Sequence, residues 1–224
     1  MKLLICVTSL CDIEPALKHY NVEPVKHAAM PYFYSAKILH HEVDIVATGL
    51  GIFQTVYKLT KVLGLQKYHL ALNLCAGNAY SAIEPGTILN IVNEKPGDYG
   101  MMLNGEWQDF YDMGMLKRED EPHVRGGFVN LNNSYMNVFM PFKKVVGVTV
   151  NHHTDRSSYE VRRNKYKAEC ETIENLGFAY TCLYEKQNYY SLCVIERSLA
   201  TNAENSVLAA SRLNETLIDL IEKL

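Results

Sequence analysis

The sequence has little charge bias. Its 224 residues carry a formal net charge of −3 and no run of Lys or Arg. That removes the electrostatic footprint of a nucleic-acid-binding protein. No apolar stretch approaches the roughly 18 residues of a membrane-spanning helix. The N-terminal apolar run, Leu3–Val7, is too short for the core of a signal peptide and leads into acidic residues rather than a cleavage site. The six cysteines (Cys6, Cys11, Cys75, Cys170, Cys182 and Cys193) form no C-x-x-C pair. Several sit inside apolar runs, as reduced, buried residues of a cytoplasmic protein do. Gly49-Leu50-Gly51 lacks the third glycine and the downstream acid of a dinucleotide fingerprint, so no nicotinamide cofactor is expected, nor any other. His152 and His153 followed by Asp155 invite a metal reading, but no third ligand stands at motif spacing, and no metal is expected. Repeats, linkers and low-complexity segments are absent too. Hydrophobic residues make up 48% and charged residues 21%. This is an ordinary globular composition, and one domain spanning 1–224 is expected.

What is present is an alternation of strand-like and helix-like segments. Met1–Thr8 reads as a strand buried on both faces. Ser9–Asp12 reads as a loop, and Pro15 opens a helix toward His19. Tyr32–Leu39 and Val43–Thr48 read as strands, and Gly49-Leu50-Gly51 opens a helix over Phe53–Leu63. Leu70–Leu74 is a buried strand followed by Cys75–Ala79. A turn at Pro85-Gly86 precedes a strand over Thr87–Val92. Pro96–Asp120 is expected to be an irregular excursion, and Gly126-Gly127 a flexible point. Val145–Val150 is a strand, Asn151–Ser158 a polar loop, Glu171–Tyr184 a helix and Tyr189–Ile195 a strand. Asn205–Leu224 is a terminal amphipathic helix. The alternation predicts an α/β domain of three layers, α/β/α, around a central mixed sheet.

In such sheets ligands sit beyond the carboxyl ends of strands. Five loops are candidates: Thr8–Asp12, Thr48–Gly51, Cys75–Asn78, Asn151–Asp155 and Arg197–Asn202. Within Glu171–Tyr180, Ile173, Leu176, Ala179 and Tyr180 share one helical face, while Glu171 and Glu174 share another edge of the first turn. Glu171 reads as an acid at a helix N-terminus. Glu174 is either solvated or functional on periodicity alone.

Glu171–Tyr180 (E-T-I-E-N-L-G-F-A-Y) resembles the M-E-(G/A)-A-A motif of the nucleoside phosphorylase/nucleosidase superfamily, which includes methylthioadenosine/adenosylhomocysteine nucleosidase and futalosine hydrolase. Ile173 falls in the Met position and Glu174 in the Glu position. Asp44–Val62 is similar to the family's strand, G-x-G loop and helix. Asn73–Tyr80 (N-L-C-A-G-N-A-Y) is similar to its N-x-G-x-A-G-S segment. Pro85–Val92 is similar to its P-G-D-V strand, with Thr87 in the Asp position. Gly97–Met115 resembles futalosine hydrolases in particular.

The resemblance implies hydrolysis of the N-ribosidic bond of a purine nucleoside derivative, futalosine-like or 5′-substituted adenosine-like, through an oxocarbenium-like sugar. It also implies a homodimer to which region 97–115 contributes. Glu174 would accept both hydroxyl protons of a vicinal diol, for which an ionised carboxylate is suited. A gapless match places Asp12 as the carboxylate that activates water, with Glu14 the alternative. As a bare residue Asp12 reads equally well as a helix cap. Thr201 falls in register with the family's leaving-group residue and Asn202 stands one later; both also read as caps of the terminal helix. Gly49, Ala76, Gly77, Asn151, His152 and Ile173 complete the expected substrate contacts. Two other readings stay open: a phosphorylase, whose anion would need Arg156 or Arg197, and a nucleoside-binding homologue with little or no activity. The substitutions at Asp12, Ile173 and Thr201 favour the latter.

Overall fold

The computed structural model describes residues 1–152 and 156–224, with side chains for all of these but 156–158. The elements are β1 (Lys2–Val7), α1 (Glu14–His19), β2 (Val25–His27), β3 (Met30–Ile38), β4 (His41–Ala47), α2 (Ile52–Leu63), β5 (Leu70–Ala79) and β6 (Ile88–Pro96). A hairpin of β7 (Gly100–Leu103) and β8 (Glu106–Asp109) follows, then β9 (Phe128–Val129), α3 (Met136–Phe139), β10 (Lys143–Thr149) and α4 (Arg156–Tyr166). The last elements are β11 (Cys170–Thr172), α5 (Asn175–Tyr184), β12 (Tyr189–Ser198) and α6 (Ser206–Lys223).

The apolar runs build one large mixed sheet, ordered β11-β10-β6-β12-β5-β1-β4-β3-β2, with β9 beside β6. β1 lies parallel between β4 and β5, and β12 runs parallel to β5 along its length. β6 runs antiparallel to β12, and β10 follows β6. β11 pairs with both β10 and β5, so five strands close into a ring. Cys75, Ala79, Leu89, Ile91, Val145, Cys170, Cys193 and Ile195 form one cluster drawn from all five of those strands. All six cysteines are free, and only Cys11 among them is exposed.

Each open face of the sheet is covered by helices. Leu213, Leu217, Leu220 and Ile221 recur at helical spacing on α6 and pack with Leu3, Ile5, Leu72 and Leu192. Burying each such side chain is worth roughly 1.5–3 kcal/mol. On the other face α2 and α5 bring Leu59, Val62, Leu63, Phe178 and Cys182 against Leu4, Cys6 and Val46. The expected α/β/α architecture with a mixed sheet is the architecture of this chain. Among the described residues no helix is long and apolar enough to cross a membrane.

Four local expectations are corrected. Glu171 lies in β11, not in a helix, and is fully buried; α5 starts only after Glu174. Cys75–Ala79 is strand, because β11 and β12 pair with it on both sides. A Cβ on Gly77 would sit 2.4 Å from the Glu171 carbonyl oxygen and 2.7 Å from Cys193 Sγ, so only glycine fits that pairing. The stretch read as a polar loop to Ser158 becomes helix α4 from Arg156. Leu10–Ile13 forms a 3-10 turn that overlaps Ser9–Asp12, the segment read as a loop.

Candidate active site

The loops after β1 and β4 are stitched to each other. Thr48 N–H donates to the Val7 carbonyl at 2.8 Å and Gly49 N–H to the Thr8 carbonyl at 2.9 Å. Gly49 and Gly51 both adopt positive φ (+76° and +88°), which L side chains resist, so this loop needs its glycines. The first loop is fixed by a capping box. The Ser9 hydroxyl accepts from Cys11 N–H at 3.3 Å, and the Asp12 carboxylate reaches back to accept from Ser9 N–H at 2.7 Å. Asp12 thus bonds a residue three before it, not two or three after it as a simple N-cap does.

These loops, the middle of β5, the end of β12 and the start of α6 enclose a cavity of about 260 Å³. Its polar lining comes from Thr8, Asp12 and Glu196; Leu50, Ala76 and Leu213 supply apolar wall. Burial pushes the Asp12 carboxyl above its ordinary range, while the bond from Ser9 opposes the rise. Glu174 stands at the N-cap position of α5, 4% exposed, and accepts from the Thr8 hydroxyl at 3.3 Å. Thr8 therefore joins the buried carboxylate to the cavity wall.

Behind Glu174 lies a buried polar network. Glu94 accepts from Thr149 Oγ1 at 2.7 Å and from Asn175 Nδ2. Asn175 Oδ1 accepts from Asn73 Nδ2 at 2.9 Å and from the Ser191 hydroxyl. Thr149 Oγ1 also accepts from Leu176 N–H at 2.8 Å, which anchors the first turn of α5. Burial pushes the Glu94 carboxyl up to about 7; its two hydrogen bonds oppose the rise and the charge of Glu174 adds to it. Glu171 is satisfied separately, accepting from Asn78 Nδ2 at 3.0 Å and from the Tyr80 hydroxyl at 2.8 Å.

The structure brings Asp12, Ala76 and, through Thr8, Glu174 to one place. Gly49 precedes the cavity residue Leu50, and Gly77 lies buried beside Ala76. Ile173 is half-buried between β11 and α5. Asn151 and His152 are exposed, the former with its N–H bonded to Asp98, and neither lines this cavity. His153 and Asp155 lie outside the described residues. Thr201 and Asn202 sit exposed in a tight turn after β12, with Thr201 Oγ1 accepting from Ala203 N–H at 3.3 Å. They do not line the cavity, and the cap of α6 is Asn205, which accepts from Leu208 N–H at 2.9 Å. Glu14 is exposed and pairs with Lys18 at 2.7 Å.

Glu196 was not singled out by sequence reasoning. It is skipped in the pairing of β12 with β5, whose register shifts between Ile195 and Arg197, and it lines the cavity that Asp12 lines. The available signal was an acid ending the long apolar run of β12 at a carboxyl strand end.

No family model matches the chain, and no curated protein matches it. Solved structures do. A 5′-methylthioadenosine/S-adenosylhomocysteine nucleosidase from Campylobacter jejuni superposes with TM-score 0.80 at 17% identity, covering 100% of both chains. A futalosine hydrolase mutant from Helicobacter pylori superposes with TM-score 0.79 at 14% identity, again over 100% of both. An S-adenosylhomocysteine nucleosidase from Streptococcus pyogenes, solved with 5-methylthiotubericidin, gives 0.78 at 11% identity over 100% of this chain and 97% of that one. The fold is therefore the nucleoside phosphorylase/nucleosidase fold. Within it, this chain is similar to the methylthioadenosine/adenosylhomocysteine nucleosidases and to futalosine hydrolase.

Proposed function

We propose that this chain hydrolyses the N-ribosidic bond of a purine nucleoside derivative, futalosine-like or 5′-substituted adenosine-like. The observation that carries the reading is the grouping of Asp12, Glu196 and the Thr8–Glu174 pair around one cavity at carboxyl strand ends. In this proposal Glu174 accepts hydrogen bonds from the ribose diol and favours the developing positive charge on the sugar. Asp12, partly desolvated and held by Ser9, takes a proton from the attacking water. Glu196 stands where a proton donor to the departing base, expected of Thr201, is needed: its carboxyl would have to carry a proton and pass it to the base nitrogen as the bond to the sugar breaks. Ala76 is part of the surrounding wall, with Gly49 and Gly77 next in the chain to the lining residues Leu50 and Ala76; Ile173 is not among the lining residues.

Hydrolysis is favoured over phosphorolysis because no Lys, Arg or His is among the described residues lining the cavity. Arg197 is exposed and faces Glu204 at 3.8 Å. The placement of Thr201 in an outer turn supports the second reading, a nucleoside-binding homologue without turnover. The test is incubation of the protein with adenosine, 5′-substituted adenosines and futalosine, with and without phosphate. Free base together with the free sugar, ribose or its 5′-substituted form, independent of phosphate, supports the hydrolase. Binding without product supports the second reading.

A homodimer is part of the proposal. Phe53, Tyr57 and Tyr184 on α2 and α5 are 86%, 62% and 55% exposed, and Phe53 and Tyr184 line one apolar hollow with Tyr99 and Tyr111 of region 97–115. An apolar patch of this kind on adjacent elements suits a self-complementary interface.

A further inference from the structure

A second cavity lies on the same face of β12 as the first but at the opposite end of the strand. Val194 lines the first cavity and Tyr190 the second. Four residues of strand separate them, about 13 Å. The second cavity has a volume of about 380 Å³, within the range of small-molecule sites, roughly 300–1,000 Å³. Its lining is rich in asparagine: Asn90, Asn93, Asn130, Asn132 and Asn133.

Buried side-chain amides in folded proteins are almost always hydrogen-bonded. Here they are not. Of five buried side-chain nitrogen and oxygen atoms without a partner among the described residues, four belong to this cavity: Asn90 Nδ2, Asn90 Oδ1, Asn93 Oδ1 and Asn132 Nδ2. Asn90 is 0% exposed, and with both its polar atoms unpaired, exchanging its nitrogen and oxygen satisfies nothing. The surrounding asparagines are committed to building the wall. Asn130 Nδ2 donates to the Tyr189 carbonyl at 2.7 Å, Asn130 Oδ1 accepts from Asn132 N–H at 2.9 Å, and Asn132 Oδ1 accepts from Ser134 N–H at 2.8 Å. The wall is held in place while two donors and two acceptors are left over.

The chemistry of the leftover groups selects the ligand. A side-chain amide presents a donor beside an acceptor, the pattern that pairs with the edge of a nucleobase. Phe139 and Tyr190, stacked with ring centroids 3.6 Å apart, and Val146 give the apolar surface a planar ring needs. Among the described residues no carboxylate lines the cavity, and Lys144, exposed to solvent, is the one ionisable amine that does. We propose that this cavity is a second small-molecule site, separate from the candidate active site, that takes a neutral nucleobase, free or carried in a nucleoside.

The test is calorimetric titration of adenine, hypoxanthine, uracil and their nucleosides into the Asp12→Asn protein, which lacks the proposed water-activating carboxylate, and into the same protein carrying Asn90→Leu. The expected result is a binding event for at least one probe that Asn90→Leu weakens by about tenfold or more, the loss of a paired amide. Loss for free bases and nucleosides alike assigns the base as the recognised group; loss for nucleosides alone overturns that assignment. Where Asn90→Leu does not fold, Asn132→Ala at the half-buried rim takes its place, with the same expected direction. Isotherms that are identical with and without the substitution overturn the proposal. So does a crystal soaked with the tightest probe that shows only water between Asn90 and Asn132.

Discussion

Glu94 gives the sharpest stability prediction. Its carboxyl is buried beneath the first turn of α5 and pushed from an ordinary 4.5 up to about 7. Below pH 4.5 both folded and unfolded chains hold the proton. As pH rises from there to about 7, the unfolded chain releases it first, so stability falls across that window and the loss is complete above it. The shift is worth at most about 3.5 kcal/mol, at roughly 1.4 kcal/mol per unit. Glu94→Gln removes the titration and keeps the shape. Its carbonyl still accepts from Asn175, and its amide donates to Thr149, whose hydroxyl turns to Thr172 at 3.1 Å. The variant is expected to match the wild type near pH 4 and to exceed it at pH 8 by up to about 7–14 °C in melting temperature for a chain of this size. Thermal unfolding of both proteins at half-unit pH steps measures this. Parallel pH profiles for the two proteins would refute a buried, proton-binding Glu94.

Three further outcomes follow from the site and its surroundings. Glu174→Gln keeps shape but loses the charged acceptor, so nucleoside affinity is expected to fall by about 1.5–3 kcal/mol, read by calorimetry; unchanged affinity removes Glu174 from the site. Gly77→Ala forces a methyl group into the Glu171 carbonyl and Cys193 Sγ; urea unfolding is expected to show a loss of about 1–3 kcal/mol, and none would mean the strands separate freely there. Phe53→Asp places a charge in the exposed α2–α5 patch, and light scattering is expected to report a monomer where the wild type is a dimer; a wild-type monomer ends the dimer proposal.

The outer layers of this fold were legible because their signals are local. β1 is apolar from Leu3 to Val7, β4 is mostly apolar from Val43 on, and α6 repeats leucine at helical spacing over five turns. The ring was not. β11 is three residues long, and Glu171 is buried there because Asn78 and Tyr80, far away in sequence, donate to it. Its apparent helical pairing with Glu174 was an accident of spacing. Cys75–Ala79 looks like a loop by composition and is strand only because neighbours flank it on both sides. α4 is polar over most of its length, with Tyr159 buried and Arg162 drawn to Asp98, so periodicity was faint. In the site, Asp12 and Glu174 were found through a motif. Glu196 was missed because a bulge, invisible in sequence, decides where its side chain stands. Glu94 was missed because it stands in the polar run Asn93-Glu94-Lys95, past the strand expected to Val92, and shows its role only when Thr149 and Asn175 arrive beside it.

The central claim is that Asp12 activates water for N-ribosidic cleavage. The most direct measurement is release of free base and of the free sugar, ribose or its 5′-substituted form, from the nucleoside panel by the wild type and by Asp12→Asn, with circular dichroism to verify that the variant is folded. The account predicts turnover by the wild type without phosphate and none by the folded variant. Equal turnover by Asp12→Asn contradicts it.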